Sequence, residues 1–173
     1  MDARRLDSRS EVGRSGVRSV LLALSVLVAV ALVNATNPTD HDVEAIGLAA
    51  AVAGGGNHSL VLKSDGTVWS FGNNAYGQLG TSTNIGTNWA NPVPSLVLSG
   101  ASAVAAGDSH SLVLKSDGTV WSFGNNAFGQ LGTSTNSGTS VANPVPSLVM
   151  SGASAIAAGA LHSLVLKSDG TVW

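Results

Sequence analysis

The stretch Ser59-Leu-Val-Leu-Lys-Ser-Asp-Gly-Thr-Val-Trp69 occurs three times in this 173-residue chain, returning unchanged at residues 111–121 and 163–173. The copies lie 52 residues apart, and aligning residues 58–109 with residues 110–161 gives 44 identities in 52 positions. A fixed period of this length is typical of repeat architectures, in which every unit folds in the same way and packs on its neighbours.

Each period predicts four short strands. Runs of apolar, β-branched or aromatic residues are bounded by Gly, Pro, Asn, Asp and Ser, a pattern that favours strands over helices. In the second unit these runs cover residues 103–107, 111–115, 119–123 and 146–150. The Asp-Gly pair between the second and third runs predicts a tight hairpin, because glycine adopts positive φ at little cost.

The second predicted strand carries three consecutive apolar residues, Leu60-Val61-Leu62, in place of an alternating pattern. Such a strand is covered on both faces, and sheets stacked face to face supply that cover. Four-stranded units of this length predict an all-β fold, a partial β-propeller, with units at about residues 47–98, 99–150 and 151–173. The third unit is incomplete, so we expect roughly 2.5 blades here and a longer, truncated array.

The first 35 residues differ from the repeats in every respect. All five arginines lie in the first 18 positions, and an apolar run follows at residues 20–33. A basic head, an apolar helix and a small-residue end at Ala35 predict a secretory signal peptide over residues 1–35, then a linker at 36–46. An uncleaved anchor through residues 20–33 is the alternative, although a membrane span needs about 20 apolar residues. We therefore expect a secreted or cell-surface protein.

The charge of the repeats excludes some classes of partner. After Ala35 the chain has three lysines, no arginine and seven acidic residues, hence a net charge of −4. Nucleic acids and anionic membrane surfaces are normally bound through clusters of Lys and Arg, so neither is an expected partner. The chain has no cysteine, which fits an exported protein that does not rely on disulfides.

Three motifs of the second unit resemble the repeats of the regulator of chromosome condensation family. They are Ala-Ala-Gly-x-x-His-Ser-Leu at 105–112, Ser-Asp-Gly-Thr-Val-Trp at 116–121 and Phe-Gly-Asn-Asn-Ala-Phe-Gly-Gln-Leu-Gly at 123–132. The resemblance covers about residues 47–173 and recurs in step with the period. It implies a propeller of typically about seven blades, each of roughly 50 residues.

The resemblance does not point to one function, because members of this family have different roles. The founding member of the family is nuclear, binds chromatin and promotes nucleotide exchange on a small GTPase, whereas a secreted bacterial relative inhibits β-lactamases through loops on one face. The predicted export signal and the absence of arginine from the repeats distinguish this chain from a nuclear, chromatin-binding protein. We expect a bacterial-type secreted member: a non-enzymatic scaffold for an unknown protein partner, without a cofactor. The alternatives are an accessory or sensor propeller joined to a catalytic domain beyond residue 173, and guanine-nucleotide exchange.

The long polar loop between the third and fourth strands is the predicted contact surface. The first two units differ at eight positions; three of these pairs lie within residues 81–91 and 133–143, and Leu98/Met150 follows just beyond. Trp89 is the most informative change, because an exposed tryptophan on a loop is often a binding hot spot. The predicted binding residues are Ile85, Asn88, Trp89, Ser140 and Val141.

Three residue types recur at equivalent places, and we favour structural roles for all of them. Histidines on successive blades lie too far apart to share one metal ion, whose ligand bonds are about 2 Å, so we expect them to bond a loop or a neighbouring blade. The Ser-Asp-Gly context explains the aspartates as turn residues, and tryptophans pack well between blades. No catalytic or metal-binding residue is predicted. The recurring residues are His58, His110 and His162, Asp65, Asp117 and Asp169, and Trp69, Trp121 and Trp173.

The repeat segment, residues 36–173, is expected to self-associate when it is expressed alone. An open array of blades exposes apolar sheet faces, and large exposed apolar patches mark partner surfaces or lead to aggregation. Sedimentation velocity should therefore show oligomers or aggregates. A monodisperse monomer with one sharp unfolding transition would contradict the expectation.

Overall fold

The computed structural model describes residues 48–173. The predicted signal peptide with its apolar helix, the cleavage point at Ala35 and the linker at 36–46 lie outside the described residues. Residues 48–173 contain no helix with the length and apolar character needed to cross a membrane. The strands of the described part are β1 Ala49–Gly54, β2 His58–Lys63, β3 Val68–Asn73, β4 Ala90–Leu98, β5 Ala101–Ala106, β6 His110–Lys115, β7 Val120–Gly124, β8 Asn143–Met150, β9 Ala153–Ala158 and β10 Ser163–Lys167.

These strands form two four-stranded antiparallel sheets and one two-stranded hairpin. The strands of each sheet follow chain order, β1-β2-β3-β4 in the first blade and β5-β6-β7-β8 in the second, while β9 pairs with β10. Val172 adds an isolated bridge to Leu166. The prediction of an all-β fold built from four-stranded units is confirmed for the described residues.

The β2–β3 hairpin shows why the repeated sequence gives a repeated turn. Asp65 Oδ1 accepts hydrogen bonds from the Thr67 backbone N–H at 2.9 Å and from the Thr67 hydroxyl at 2.6 Å. Gly66 has a φ of 79°, a left-handed conformation that glycine adopts without a Cβ clash. Asp117 and Asp169 make the same pair of bonds, so all three copies fold into one turn.

The chain order of the strands divides each blade into two ends. One end, the loop face, carries the β1–β2 and β3–β4 connections of the first blade and their equivalents, at residues 55–57, 74–89, 107–109, 125–142 and 159–162. The opposite end, the hairpin face, carries the Ser-Asp-Gly turns and the two-residue links to the next blade. Because neighbouring strands are antiparallel, all loops of one kind lie at the same end.

Successive sheets pack face to face through their inner strands, with β2 against β5 and β6 against β9. In β6, every residue from His110 to Leu114 is buried, and Val113 is 0% exposed. In β2, Leu60 and Leu62 are buried but Val61 between them is only half-buried. As predicted, β6 is covered on both faces, because it has a neighbouring sheet on each side within residues 48–173. Within the same residues, β2 is covered on one face.

The core lies between the blades. One cluster of buried residues combines Leu60, Leu62 and Val68 of the first blade with Ala101, Val113 and Phe123 of the second. A second cluster joins Leu114 and Val120 to Ala153 and Val165. Each sheet therefore buries its apolar side chains only when the next sheet is in place.

The fourth strand of each blade is an edge strand. Among the strands of residues 48–173, β4 pairs with β3 alone, and it contains Pro92 and Pro94, which cannot donate hydrogen bonds to a further strand. The long loop was predicted to run to Asn91 but ends at Trp89, because Asn91 pairs with Gly72 and donates its side-chain N–H to the Gly72 carbonyl at 3.1 Å.

Replacing Phe123 with alanine should lower the free energy of unfolding by about 3–5 kcal/mol, the usual cost of deleting a buried phenyl ring. Phe71 is the matched control: it occupies the same position in the first blade and is only half-buried, so Phe71→Ala should cost less. Urea denaturation of the two variants measures both values. Equal losses would show that the second blade does not gain its core from the first.

Candidate functional site: the blade junctions and the loop face

Each blade junction contains one chain of hydrogen-bonded polar groups, which is buried at the first junction and partly buried at the second. At the first junction, His58 Nε2 lies 2.8 Å from Ser111 Oγ, and the Ser111 hydroxyl donates to the Gln78 carbonyl at 2.8 Å. The second junction repeats this with His110 and Ser163 at 3.1 Å and a 2.6 Å bond from Ser163 to the Gln130 carbonyl. Because the serine proton goes to the carbonyl, the histidine Nε2 must be the donor.

Burial fixes the charge state of these histidines. His58 is 4% exposed and His110 is 0% exposed, and the Nδ1 atom of each has no hydrogen-bond partner in the described part of the chain. Desolvation, and then the neighbouring histidine, lower the pKa of both imidazoles to about 4. Both rings are therefore neutral near pH 7 and act as structural donors.

Gly55, the first residue after β1, must be a glycine because its backbone lies against the His58 imidazole. A Cβ on Gly55 would lie 2.2 Å from His58 Cε1, well inside contact distance. A Cβ on Gly107 or Gly159 would come equally close to the imidazole of the histidine three residues later. Glycine is used here because the backbone passes directly over the imidazole.

The repeated histidines occupy separate junctions instead of converging on one point. Among residues 48–173, no group of three or more His, Cys, Asp or Glu side chains is placed to hold a metal ion. His58 and His110 each bond the serine of the next blade, and His162 is exposed. His58 and His110 thus have the predicted structural role, a hydrogen bond to the neighbouring blade.

The repeated tryptophans lie at the hairpin face. Trp69 Nε1 donates to the Thr67 hydroxyl at 3.1 Å, and Lys63 Nζ lies 4.1 Å from the Trp69 ring centroid. Trp121 repeats the contact with Lys115 at 4.8 Å and packs against the core cluster. Trp173 makes the equivalent contact with Lys167 at 5.9 Å but is 67% exposed.

Two buried polar residues that the sequence analysis did not single out shape the long loop. Asn74 is 0% exposed; its Nδ2 donates to the Thr81 and Thr83 carbonyls and its Oδ1 accepts the Leu79 N–H. Gln78 bonds the Tyr76 N–H and the Asn73 side chain. Their unchanged recurrence in the Gly-Asn-Asn-x-x-Gly-Gln-Leu-Gly motif was the signal for this role.

The predicted contact residues lie on the loop face. Trp89 is 73% exposed and Asn88 is exposed beside it, while Ile85 is half-buried. Val141 is 55% exposed on the second blade, next to exposed Ser140. The five residues therefore lie on the same face of two neighbouring blades.

Differences between repeats are concentrated on this face. Six of the eight differing pairs lie in its loops, whereas Val104/Ile156 and Leu98/Met150 lie in strands. The hairpin face carries the same Lys-Ser-Asp-Gly-Thr sequence in all three copies. The six pairs are Tyr76/Phe128, Ile85/Ser137, Asn88/Ser140, Trp89/Val141, Asp108/Ala160 and Ser109/Leu161.

The loop face has little charge. Among the described residues, Asp108 is its one charged side chain, and Lys63, Lys115 and Lys167 all lie at the hairpin face. The remaining positions are mostly Asn, Ser, Thr and Gly around the exposed Trp89. This is the composition that antibody loops use, with a rigid aromatic anchor and adaptable polar neighbours.

Repeated antiparallel sheets that share their cores, with loops gathered at one end, define a repeat protein of the β-propeller class. Sequence profiles described as "Regulator of chromosome condensation (RCC1) repeat" match residues 65–114 and 117–166, and also 49–78 and 101–130. The chain belongs to the RCC1 repeat family.

Similar proteins have different activities. The chain is 33% identical over 124 residues to the mitochondrial RCC1 domain-containing protein RUG3 of Arabidopsis thaliana, covering 72% of this chain and 28% of that protein. It is 34% identical over 122 residues to the secretion-regulating guanine nucleotide exchange factor of Bos taurus, covering 70% and 26%. The human E3 ubiquitin-protein ligase HERC2 is 35% identical over 126 residues, covering 70% of this chain and 3% of the ligase.

Solved structures share the fold. Prp20p of Saccharomyces cerevisiae, whose binding properties to Gsp1p and histones have been described, superposes with a TM-score of 0.63 at 26% identity, covering 72% of this chain and 32% of Prp20p. Human WBSCR16 gives 0.61 at 29% identity, covering 75% and 33%. The chain thus spans about a third or less of these relatives.

Acid should weaken the blade junctions. The histidines have a pKa of about 4 when folded and about 6.5 when unfolded, so the unfolded state binds more protons between these values. The stability contributed by these two histidines should be complete above pH 6.5, fall as the pH drops towards 4 and change no further below it. Urea midpoints measured across this range test the sign. A double variant, His58→Gln with His110→Gln, should flatten the curve, and an unchanged slope in that variant would refute the assignment.

Proposed function

We propose that this protein is an exported, non-enzymatic scaffold that binds a protein partner through the loop face. The observation that carries the proposal is the location of the differences between repeats, six of eight of which lie in loops of that face. Core positions must stay alike because each blade packs on a copy of itself, whereas loop positions are free to diverge towards a partner.

Trp89 is the proposed anchor of the contact. Its equivalent Val141 is 55% exposed even though the second blade has neighbours on both sides within the described residues, so the position lies at the surface of the folded array. The loop that presents Trp89 is held by the Asn74 bonds and by a 2.9 Å bond from Asn84 to Asn91. A loop ordered before binding loses less conformational entropy in the complex.

The non-enzymatic part of the proposal is supported by the state of the histidines. His58 and His110 are buried, neutral and bonded to serines of the next blade, so they serve packing. Export is proposed from residues 1–35 alone, with their basic head, apolar run and small-residue end. Export would place the loop face among extracellular or cell-surface proteins.

Guanine-nucleotide exchange is the second candidate function. It is favoured by the 34% identity to a secretion-regulating guanine nucleotide exchange factor. Export would remove this chain from cytosolic GTPases, which is why we place this candidate second. An accessory propeller within a larger protein is the third, because the chain spans 28% or less of the curated relatives described above.

A photo-crosslinking amino acid placed at Trp89 should capture a discrete protein partner in the source organism's culture, because the proposed partner covers this residue. The same group placed at Ser64 on the hairpin face is the matched control and should give none. With the captured partner purified, Trp89→Ala should weaken binding by about tenfold or more, as expected for an interface hot spot. Titration calorimetry measures the change.

Two results would overturn the proposal. Equal capture from the hairpin face would show that the loop face is not selective. Accelerated release of a fluorescent guanine nucleotide from a small GTPase by the full chain would favour the exchange function instead. Amino-terminal sequencing of the secreted product tests export separately, with cleavage after Ala35 as the expected result.

A further inference from the structure

A cavity of about 280 Å³ lies in the first blade, between the outer strand β4 and the long loop that precedes it. Five of the residues that line it are polar and uncharged, and the others are apolar, among them Pro92 and Val93. No charged residue lines this cavity. The five polar residues are Thr81, Thr83, Asn84, Asn91 and Ser95.

The cavity lies on the side of the first blade that faces the second blade. Ser95 pairs with Ser70, and Ser70 pairs with Leu60, so the three side chains share one face of the sheet. Leu60 on this face is buried in the core cluster that the first two blades share. The second blade is a complete four-stranded sheet, so the cavity stays open with its neighbouring blade in place.

Hydrogen bonds within the loop fix the walls of the cavity. Asn84 Nδ2 donates to Asn91 Oδ1 at 2.9 Å, which joins the middle of the loop to the start of β4. Asn74 Nδ2 donates to the carbonyls of Thr81 and Thr83 at 2.8 and 2.7 Å. A site that is shaped before its ligand arrives loses less conformational entropy on binding.

These bonds leave several side-chain groups of the wall available to a ligand. Within residues 48–173, the hydroxyls of Thr83 and Ser95 and the amide oxygen of Asn84 make no hydrogen bond. A hydroxyl both donates and accepts hydrogen bonds, and an amide oxygen accepts them. The hydroxyls of a sugar ring need the same mixture of partners, while its C–H face needs an apolar contact such as Val93.

Charge and size narrow the class of ligand further. Phosphate and carboxylate groups are usually bound by cationic side chains, and the cavity has none. Its volume is just below the range of about 300–1,000 Å³ that is typical of sites for drug-sized molecules. A small, neutral and hydroxyl-rich ring fits these conditions.

We propose that this cavity binds a neutral sugar, with one ring held between β4 and the long loop. Hydroxyl groups of the ring exchange hydrogen bonds with Thr83, Asn84 and Ser95, and the C–H face of the ring contacts Val93. Trp89 does not line the cavity, so the sugar site is independent of the protein contact proposed at Trp89.

Saturation-transfer difference NMR on the full chain tests the proposal, with glucose, galactose, mannose and N-acetylglucosamine as probes. At least one of them should bind with a dissociation constant on the order of 1 mM, as a few net hydrogen bonds provide. Each substitution is made in both units, because the second unit has the same residues 52 positions later. Thr83→Val with Thr135→Val removes two hydroxyls at nearly constant shape and should weaken binding about three- to tenfold. Ser95→Ala with Ser147→Ala should act in the same direction, so misfolding of one pair leaves the other as a test.

A matched control lies in the same loop. Ser82 precedes Thr83 but does not line the cavity, so Ser82→Ala with Ser134→Ala should bind sugar as the wild type does. Circular dichroism establishes that all variants are folded.

Three results would overturn the proposal. The first is that none of the four sugars binds at about 10 mM, tenfold above the expected constant. The second is equal binding by the wild type and by both pairs of cavity variants, which would place the sugar elsewhere. The third is tighter binding of glucuronate than of every neutral sugar, which would show recognition of a charge. Protein binding at Trp89 is unaffected by all three.

Discussion

The structure depends on one interaction, the burial of each blade's inner strands against the next blade. No sheet in residues 48–173 has an apolar core of its own: Leu60, Leu62 and Val68 are buried by Ala101, Val113 and Phe123 of the following sheet. In a repeat array the free energy of folding therefore comes largely from interfaces between units. The middle strand β6, with cover on both sides, is the most completely buried element.

A polar bond adds specificity to this apolar packing. Buried hydrophobic surfaces tolerate sliding, whereas a buried donor must meet its acceptor or leave both unsatisfied. The His58–Ser111 bond and its copy at His110 fix how one sheet sits on the next. Because the Ser111 hydroxyl also donates to the Gln78 carbonyl, the same serine ties the start of the long loop to the neighbouring blade.

This connection explains how a face made of loops can be well ordered. The loop that presents Trp89 begins at Asn74 and Gln78, whose amides bond backbone groups or other side chains. The inner part of the loop is thus built like the core and repeats unchanged, while the outer part differs between blades. The RCC1 family relatives include an exchange factor and a ubiquitin ligase, of which this chain covers 26% and 3%, so the shared fold does not by itself define an activity.

The 52-residue period and its Asp-Gly turns determined the fold class, the number of strands in each complete blade and the hairpins, because these follow from local backbone preferences. The sequence also placed the divergent residues in loops. It did not show that Asn91 joins the edge strand, that Asn74 and Gln78 hold the loop, or that His58 meets a serine 53 positions away. The His58–Ser111 contact was decided by the stacking of one sheet on the next, since side chains distant along the chain become neighbours only when the blades share a core. The other contacts were decided within the first blade, where the β3–β4 loop folds back on itself and β4 pairs with β3.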